Sequence, residues 1–335
     1  MPGLITGTSD VNVNLQGHYD RNLLERALPA LLHDRFLQVR PLPKNKGTRI
    51  NFRRYGSLAV NTTPLTEGVT PTGKKLTTTD IYAMVKQYGD FVTISDWVSM
   101  TGLDPMLVEG GEILGEQMGL TLDTLNRDVL VAGTTVRYAA AVAGKTTVAT
   151  AIAVSDVKAA VRILEGNNAK KLRHMIVGGP KVGTRPVAPA FYGITHTDCR
   201  QDYEALPGFT KVEEYGSQKG VPEEEIGSWG NLRILTTTNA KIWLAGGVVV
   251  GSAPTLVAAN STNIDVYCTL VFGANAAGTV PLQKGSVKNI IKKMGSAGTE
   301  DPLDQRATSG WKAAQTCKIL NDDFLLRIEH GATDL

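Results

Sequence analysis

Two short runs in this 335-residue chain hold side chains of the kinds that do chemistry. Ala143-Gly144-Lys145-Thr146-Thr147 has the ending of a phosphate-binding loop. That motif needs a glycine five residues before its second glycine, and position 139 is Ala139. It also needs a helix after the lysine, so that the first amides face the phosphate. A β-branched run follows instead, so a nucleotide-binding enzyme is a weak rival. His196-Thr197-Asp198-Cys199 supplies base, acid and nucleophile types side by side. Catalytic triads are brought together by the fold, and sequence neighbours rarely aim at one centre. A surface turn with a half-buried cysteine is the expectation there. His18, His33, His174 and His330 show no i, i+2 or i, i+4 pairing for a metal. No catalytic residue, cofactor or metal is expected.

Charge narrows the classes further. A net charge of +3 gives no bulk electrostatic case for tight nucleic-acid binding. With 42% hydrophobic residues a sizeable core is possible, and only 20% are charged, which fits a surface covered by neighbours. Cys199, Cys268 and Cys317 are widely spaced and read as buried free thiols of a reducing compartment. Residues 1–14 lack a basic segment followed by an apolar one, so no secretory signal is expected. The longest apolar runs, near 139–143 and 242–250, are too short to span a bilayer. Glu223-Glu224-Glu225 reads as a solvated turn.

The elements are clearest between Gly47 and Ser95. Thr48 to Tyr55 alternates, with Ile50 and Phe52 on one face and Arg49, Asn51 and Arg53 on the other. A polar tip from Asn61 to Lys75 follows, and a Thr-, Tyr-, Val- and Ile-rich return runs from Leu76 to Ser95, interrupted at Gly89. An isolated ribbon is marginal in water, so its cover is expected from another copy of the chain. Lys44, Lys46, Arg49, Arg53 and Arg54 concentrate positive charge at its base, as a solvated strand face or as partners for a neighbour's acids.

Residues 1–18 are polar, an arm expected to order on assembly. Tyr19 to Phe36 reads as an amphipathic helix. Asp104-Pro105 is a helix start, N-cap then first-turn proline. From there Leu107, Gly111, Leu114, Met118, Leu122, Leu125 and Val129 form one stripe of a long rod ending near Gly133. Gly111, Gly115 and Gly119 fall four apart on it, which predicts close approach of another backbone. Beyond the rod, strands are expected at 146–153, 175–177, 187–192, 233–237 and 263–273. A helix is expected at 155–164, a helical turn near 198–206, and a turn plus strand at 280–294. A hairpin should close the chain: alternating residues from Trp311 to Ile319, a turn at Asn321-Asp322-Asp323, and Phe324, Leu326 and Ile328 returning.

Five runs carry a family resemblance: Tyr19 to His33 (YDRNLLERALPALLH), Asn61 to Pro71 (NTTPLTEGVTP), Leu120 to Leu130 (LTLDTLNRDVL), Thr237 to Ile242 (TTNAKI) and Gly295 to Lys312 (GSAGTEDPLDQRATSGWK). In colinear order over roughly 18–330, they resemble the N-four-type family of tailed-bacteriophage major capsid proteins. The resemblance implies an α+β fold of the Hong Kong ninety-seven capsid type. It further implies an N-arm (1–45), an extended E-loop (46–98) and a P domain (99–150) with a spine helix at 105–132. An A domain (151–262) and a returning P-domain segment with its C-terminal hairpin (263–335) complete it. It implies self-assembly into pentamers and hexamers of an icosahedral head around double-stranded DNA, with a separate scaffold, a portal and a decorating protein as partners. No membrane is involved, and assembly would occur in the host cytoplasm. Contacts between subunits would fall on Arg49, Arg53, Arg54, Pro64, Glu67, Pro71, Lys74 and Lys75 of the arm and on Gly111, Gly115 and Gly119. Lys74 and Lys75 stand where some capsids of this fold cross-link, although the resemblance gives no partner for them. A β-rich tail or fibre protein is the other structural reading.

Overall fold

The computed structural model describes residues 32–43, 45–101, 106–172, 189–215, 222, 224–253, 255–260, 262–281, 287–296 and 301–334; side chains at 106–109, 111, 112 and 287 are outside that description. The expected helix at 19–31, the helix start at Asp104-Pro105 and the strand at 175–177 therefore lie outside the described residues.

Two sheets are joined by one rod. The first sheet is built on β14 (Arg306–Ile319). β4 (Lys86–Ser95) pairs antiparallel with residues 306–315 of β14. β13 (Val287–Lys292) pairs with 308–313, and β12 (Ala277–Pro281) continues with 315–319. The short β1 (Gln38–Val39) lies parallel to β12. The second sheet has the order β5-β15-β11-β6-β9-β8-β7, with β10 also on β11. These strands are β5 (Val136–Tyr138), β6 (Phe191–His196), β7 (Thr210–Lys211), β8 (Glu225–Trp229), β9 (Leu232–Thr237), β10 (Ile242–Trp243), β11 (Val266–Phe272) and β15 (Leu325–His330).

The rod is α2 (Met106–Val131), about 39 Å long at 1.5 Å per residue. Its apolar stripe explains its position. Leu114, Met118 and Leu122 pack on Trp311, Ala313, Tyr88 and Val92 of the first sheet. One end further on, Leu130 and Val131 pack against Tyr192, Ile194, Leu235, Leu270 and Phe272 of the second. The other face of that second sheet is covered by α3 (Val154–Gly166), whose Val157, Ala160 and Leu164 meet Phe191, Leu232, Ile234, Val271, Leu326 and Ile328. β11 is buried along its whole length, which is why its sequence is a continuous apolar run with no alternation.

The ribbon is β2 (Arg49–Tyr55) paired with β3 (Thr78–Met84). Its break from β4 falls at Val85, whose N–H donates to Thr48 O, and not at Gly89. Gly89 is inside β4 opposite Lys312. The root of the ribbon finds cover within its own chain: Phe52 and Ala83 cluster with Leu42 and Val280. From 53 to 80, the outer ends of β2 and β3 and everything beyond them, the ribbon is exposed throughout.

Several expectations are corrected. The C-terminal hairpin does not form: β14 and β15 belong to different sheets. Both edges of β14 are already taken, by β4 on one side and β13 and β12 on the other. The turn at 321–324 instead hands the chain to β11 and β5. The run at 146–153 is not a strand; a 3-10 turn at Lys145–Thr147 leads to a single bridge from Ala151 to Gly331. Phe36 ends a 3-10 turn, His33–Phe36. β11 and β15, from the last quarter of the sequence, share a sheet with β6 to β9.

Candidate functional site

The residues with chemical potential are occupied structurally. Lys145 Nζ sits 3.5 Å over the Trp243 ring and 3.8 Å from the buried Glu329 carboxylate. The turn it begins does not run into a helix, since α3 starts only at Val154, so the turn offers no helix N-terminus to an anion. His196 Nδ1 accepts the Asp198 N–H at 3.2 Å, and Tyr267 donates its hydroxyl to Asp198 at 2.8 Å. Cys199 is fully buried rather than half-buried, and burial pushes its thiol well above the ordinary range. Cys268 and Cys317 are free and buried as well. Buried His330 lies 2.9 Å from Thr269 Oγ1, which receives a bond from Tyr203. Among the described residues no group of three or more His, Cys, Asp or Glu side chains is disposed to hold a metal. No described helix is long and apolar enough to cross a membrane.

What the chain does present is surface on the arm. Arg49 stacks 3.6 Å over Tyr82, and Arg53 grips Asp80 with two bonds of 2.8 and 3.2 Å. The Arg53 hydrogen bond holds the Asp80 carboxyl below its usual range. Arg54 donates to Asn321, tying the ribbon to the turn before β15. Arg49 and Arg53 therefore stiffen the ribbon from within, while Arg54 anchors it to the body. Further out, Lys74 Nζ donates 2.6 Å to Ala59 O across the tip. The chain reverses at Glu67-Gly68, where Gly68 takes φ +76°, a region other residues reach only with strain. Pro64, Glu67, Pro71 and Lys75 are exposed there, as are Leu58, Val60, Leu65, Val69 and Leu76. Val60 is 86% exposed, a degree that no isolated fold rewards.

The first sheet also carries an uncovered area. Phe91, Gly310 and Ile290 are in register across β4, β14 and β13, and so are Gly89, Lys312 and Lys288 in the next row. Phe91 and Ile290 are exposed, and they flank a shallow cavity of about 350 Å³. On the helix, Gly115 is exposed with nothing within 4 Å of where its Cβ would stand. The close backbone approach expected at Gly115 is thus not made by any described residue. Gly119 is half-buried, and Gly111 has no described surroundings.

At the arm's root is a buried polar junction that the sequence reading missed. His33 donates its backbone N–H to Asp123 Oδ1 at 2.9 Å. Its ring Nδ1 is 2.8 Å from Asp123 Oδ2; an ionised carboxylate only accepts, so Nδ1 carries the proton. Asn239, between β9 and β10, donates to the same Oδ2 at 2.8 Å. Arg127 Nη1 donates to both oxygens of Asn239, and Asn126 donates to Asp34. His33 and Asp123 are 0% and 3% exposed. Burial acts to raise the Asp123 pKa, but the bonds from His33 and Asn239 together outweigh it and hold the carboxyl low. Asp34 goes the other way, raised by burial and then by the Asp123 charge. Breaking such a buried pair from one side costs about 3–5 kcal/mol. The available signal was the spacing of Asp123, Asn126 and Arg127, polar residues three and four apart beside an apolar stripe.

No family model matches the sequence, and no curated protein is significantly similar to it. Solved structures do match along most of the chain. It is similar to the capsid of Ralstonia phage GP4, with a TM-score of 0.66 and 14% identity over 89% of this chain and 88% of that one. It is similar to the acidic stable capsid of Helicobacter pylori bacteriophage KHP30, with a TM-score of 0.63 and 10% identity over 98% of this chain and 100% of that one. It is also similar to the capsid of Cyanophage P-SCSP1u, at 0.60 and 16% over 98% and 95%. The fold is therefore the α+β capsid fold of the Hong Kong ninety-seven type.

Proposed function

We propose that this chain is the major capsid protein of a tailed bacteriophage, building pentamers and hexamers of an icosahedral head around double-stranded DNA. One observation carries the reading. The chain matches solved capsids along most of its length, and its arm tip exposes Leu58, Val60, Leu65, Val69 and Leu76 with no core of its own. In a shell, that tip is laid over a neighbour, and many modest contacts per subunit add up cooperatively. Leu65, Val69, Glu67, Pro64, Pro71 and Lys75 are the tip residues assigned to the contact. Arg49 and Arg53 act by keeping the ribbon straight, and Arg54 by anchoring it to the body. Gly111, Gly115 and Gly119 face a neighbouring subunit.

The finer family is the N-four type. In support, three of the runs that carry that resemblance supply His33, Asp123 and Asn239 to one junction. In this reading 1–45 is the N-arm, 46–98 the E-loop, 99–150 and 263–335 the P domain and 151–262 the A domain. A separate scaffold, a portal and a decorating protein are its partners. It acts in the virion after assembly in the host cytoplasm, without catalysis or cofactor.

Negative-stain microscopy of the purified protein, with and without a co-expressed scaffold, tests the reading. Rings of five or six, or closed shells, are expected. A monodisperse monomer at micromolar concentration under every salt condition overturns it. Elongated trimers would favour the tail-fibre alternative.

A further inference from the structure

The described chain begins at Leu32, and three elements far apart in sequence meet beside it. Leu32 and Phe36 supply apolar anchorage, with Phe36 stacked on Phe272 at 5.6 Å. Such contacts hold a segment down but tolerate rotation and sliding, because they are not directional. The bonds at Asp123 are directional. One carboxylate takes the backbone N–H and the ring of His33, and also the amide of Asn239. It thereby fixes the segment against α2 and against the β9–β10 turn at once.

We infer that Asp123 is a positioning residue for the amino-terminal arm: a single carboxylate latch that sets the arm's register on α2 and couples it to the β9–β10 turn, and that opens when the carboxylate loses its charge. The inference does not depend on what the chain assembles into. A neutral acid at 123 accepts fewer bonds and presents a proton to donors, so the His33 and Asn239 contacts cannot all persist. The remaining groups at the junction do not replace it. Arg127 is committed to Asn239 and Asp128, Arg35 pairs with Glu224, and Asn239 is neutral. Asp34, bonded to Asn126, is a second acid at the junction, and the His33 ring on Asp123 is itself titratable.

The signs separate the two acids. Asp123 is held below the ordinary aspartate value of 3.8, so its contribution is present above that value and lost as pH falls through its lowered one. Asp34 is raised above 3.8, so its contribution is present below that value and lost as pH rises through its raised one. Acid therefore strengthens Asp34's part while it opens the Asp123 latch.

Hydrogen exchange on the full chain reads the latch directly, on peptides spanning 33–39, 110–131 and 232–243. At neutral pH, Asp123→Asn is expected to raise exchange at 33–39 and at the 237–243 turn by about tenfold or more, the factor for losing a charge-assisted bond. Exchange in α2 should stay within about twofold, because its own ladder is intact. The wild-type protein should approach the same two-segment pattern only as pH falls below 3.8 and on through the lowered Asp123 value, while the variant shows no such rise. Asn239→Ala, which leaves His33 on Asp123, should loosen 237–243 alone. Unchanged exchange at 33–39 in Asp123→Asn overturns the inference, and so does a rise shared equally by all three peptides. If Asp123→Asn does not fold, the wild-type acid profile and Asn239→Ala decide: no segment-specific rise in acid, or loss of 33–39 protection in Asn239→Ala, overturns it.

Discussion

Gly310 on β14 faces Phe91 on β4, and a Cβ added to Gly310 would stand 2.7 Å from the Phe91 Cβ and 3.0 Å from Asp90 O. Two residue pairs along the same ladder, Gly89 repeats the arrangement, with Trp311 O 2.7 Å from its missing Cβ. Both strands have given up a side chain so that the pair can close tightly beside Trp311. Gly310→Val is expected to destabilise the unassembled protein by about 1–3 kcal/mol through overpacking of this ladder. Urea unfolding of the variant, compared with wild type at equal slope, measures it. An unchanged midpoint would mean the strands part without cost.

The helix glycines give the opposite sign. Gly115 has open space where a side chain would go. In the unassembled chain, Gly115→Leu should stabilise by about 0.5–1 kcal/mol, since leucine is the better helix former. A raised melting temperature with a reduced yield of shells is the expected pair of results. A raised melting temperature with full yield would leave this face open to solvent in the shell.

Deleting residues 62–75 removes no buried side chain, for the whole tip is exposed while Phe52 and Ala83 hold the ribbon root. The shortened protein should therefore keep its circular dichroism spectrum and its melting temperature within about 3 °C, as expected for changes outside the core. Closed shells should be lost. Normal shell yield would remove the tip from assembly.

Burial raises all three thiols, Cys317 to about 12. Since the thiolate is the reactive form, none should be modified by a thiol reagent at pH 8 in the folded protein. All three should react once denaturant is added. Rapid labelling of one native thiol would show local opening of its element, and mass mapping would name it.

Local pattern made much of this legible. Ile50 and Phe52 alternate with arginines, and they are the buried face of β2. The stripe of Leu114, Met118 and Leu122 set which side of α2 meets the first sheet. What failed was anything decided by partners distant in sequence. Trp311 to Ile319 and Leu325 to His330 look like two arms of a hairpin, yet the edges of β14 were already filled, and alternation carries no record of that. The run after Thr147 carries β-branched residues but forms only one bridge, from Ala151 to Gly331 just past β15, so propensity alone did not make a strand. The arm's arginines were legible as a charged cluster, whereas their partners Tyr82, Asp80 and Asn321 follow from register and turn geometry. His33, Asp123 and Asn239 lie on three separated runs, and only the folded chain brings them together.

The order of the second sheet bears on when it can be completed. β15 lies between β5 and β11, with Arg327 beside Val136 and Ile328 beside Thr269. During synthesis, β5 to β11 leave the ribosome with an empty lane between the β5 edge and the rest of the sheet. The lane is filled only after residues 325–330 have emerged, and pairings of such long range form slowly. A partly made chain therefore shows two raw strand edges, while a fully made one closes them in a single insertion. Translation order thus leaves β5 detached from the rest of the sheet until residues 325–330 have been made.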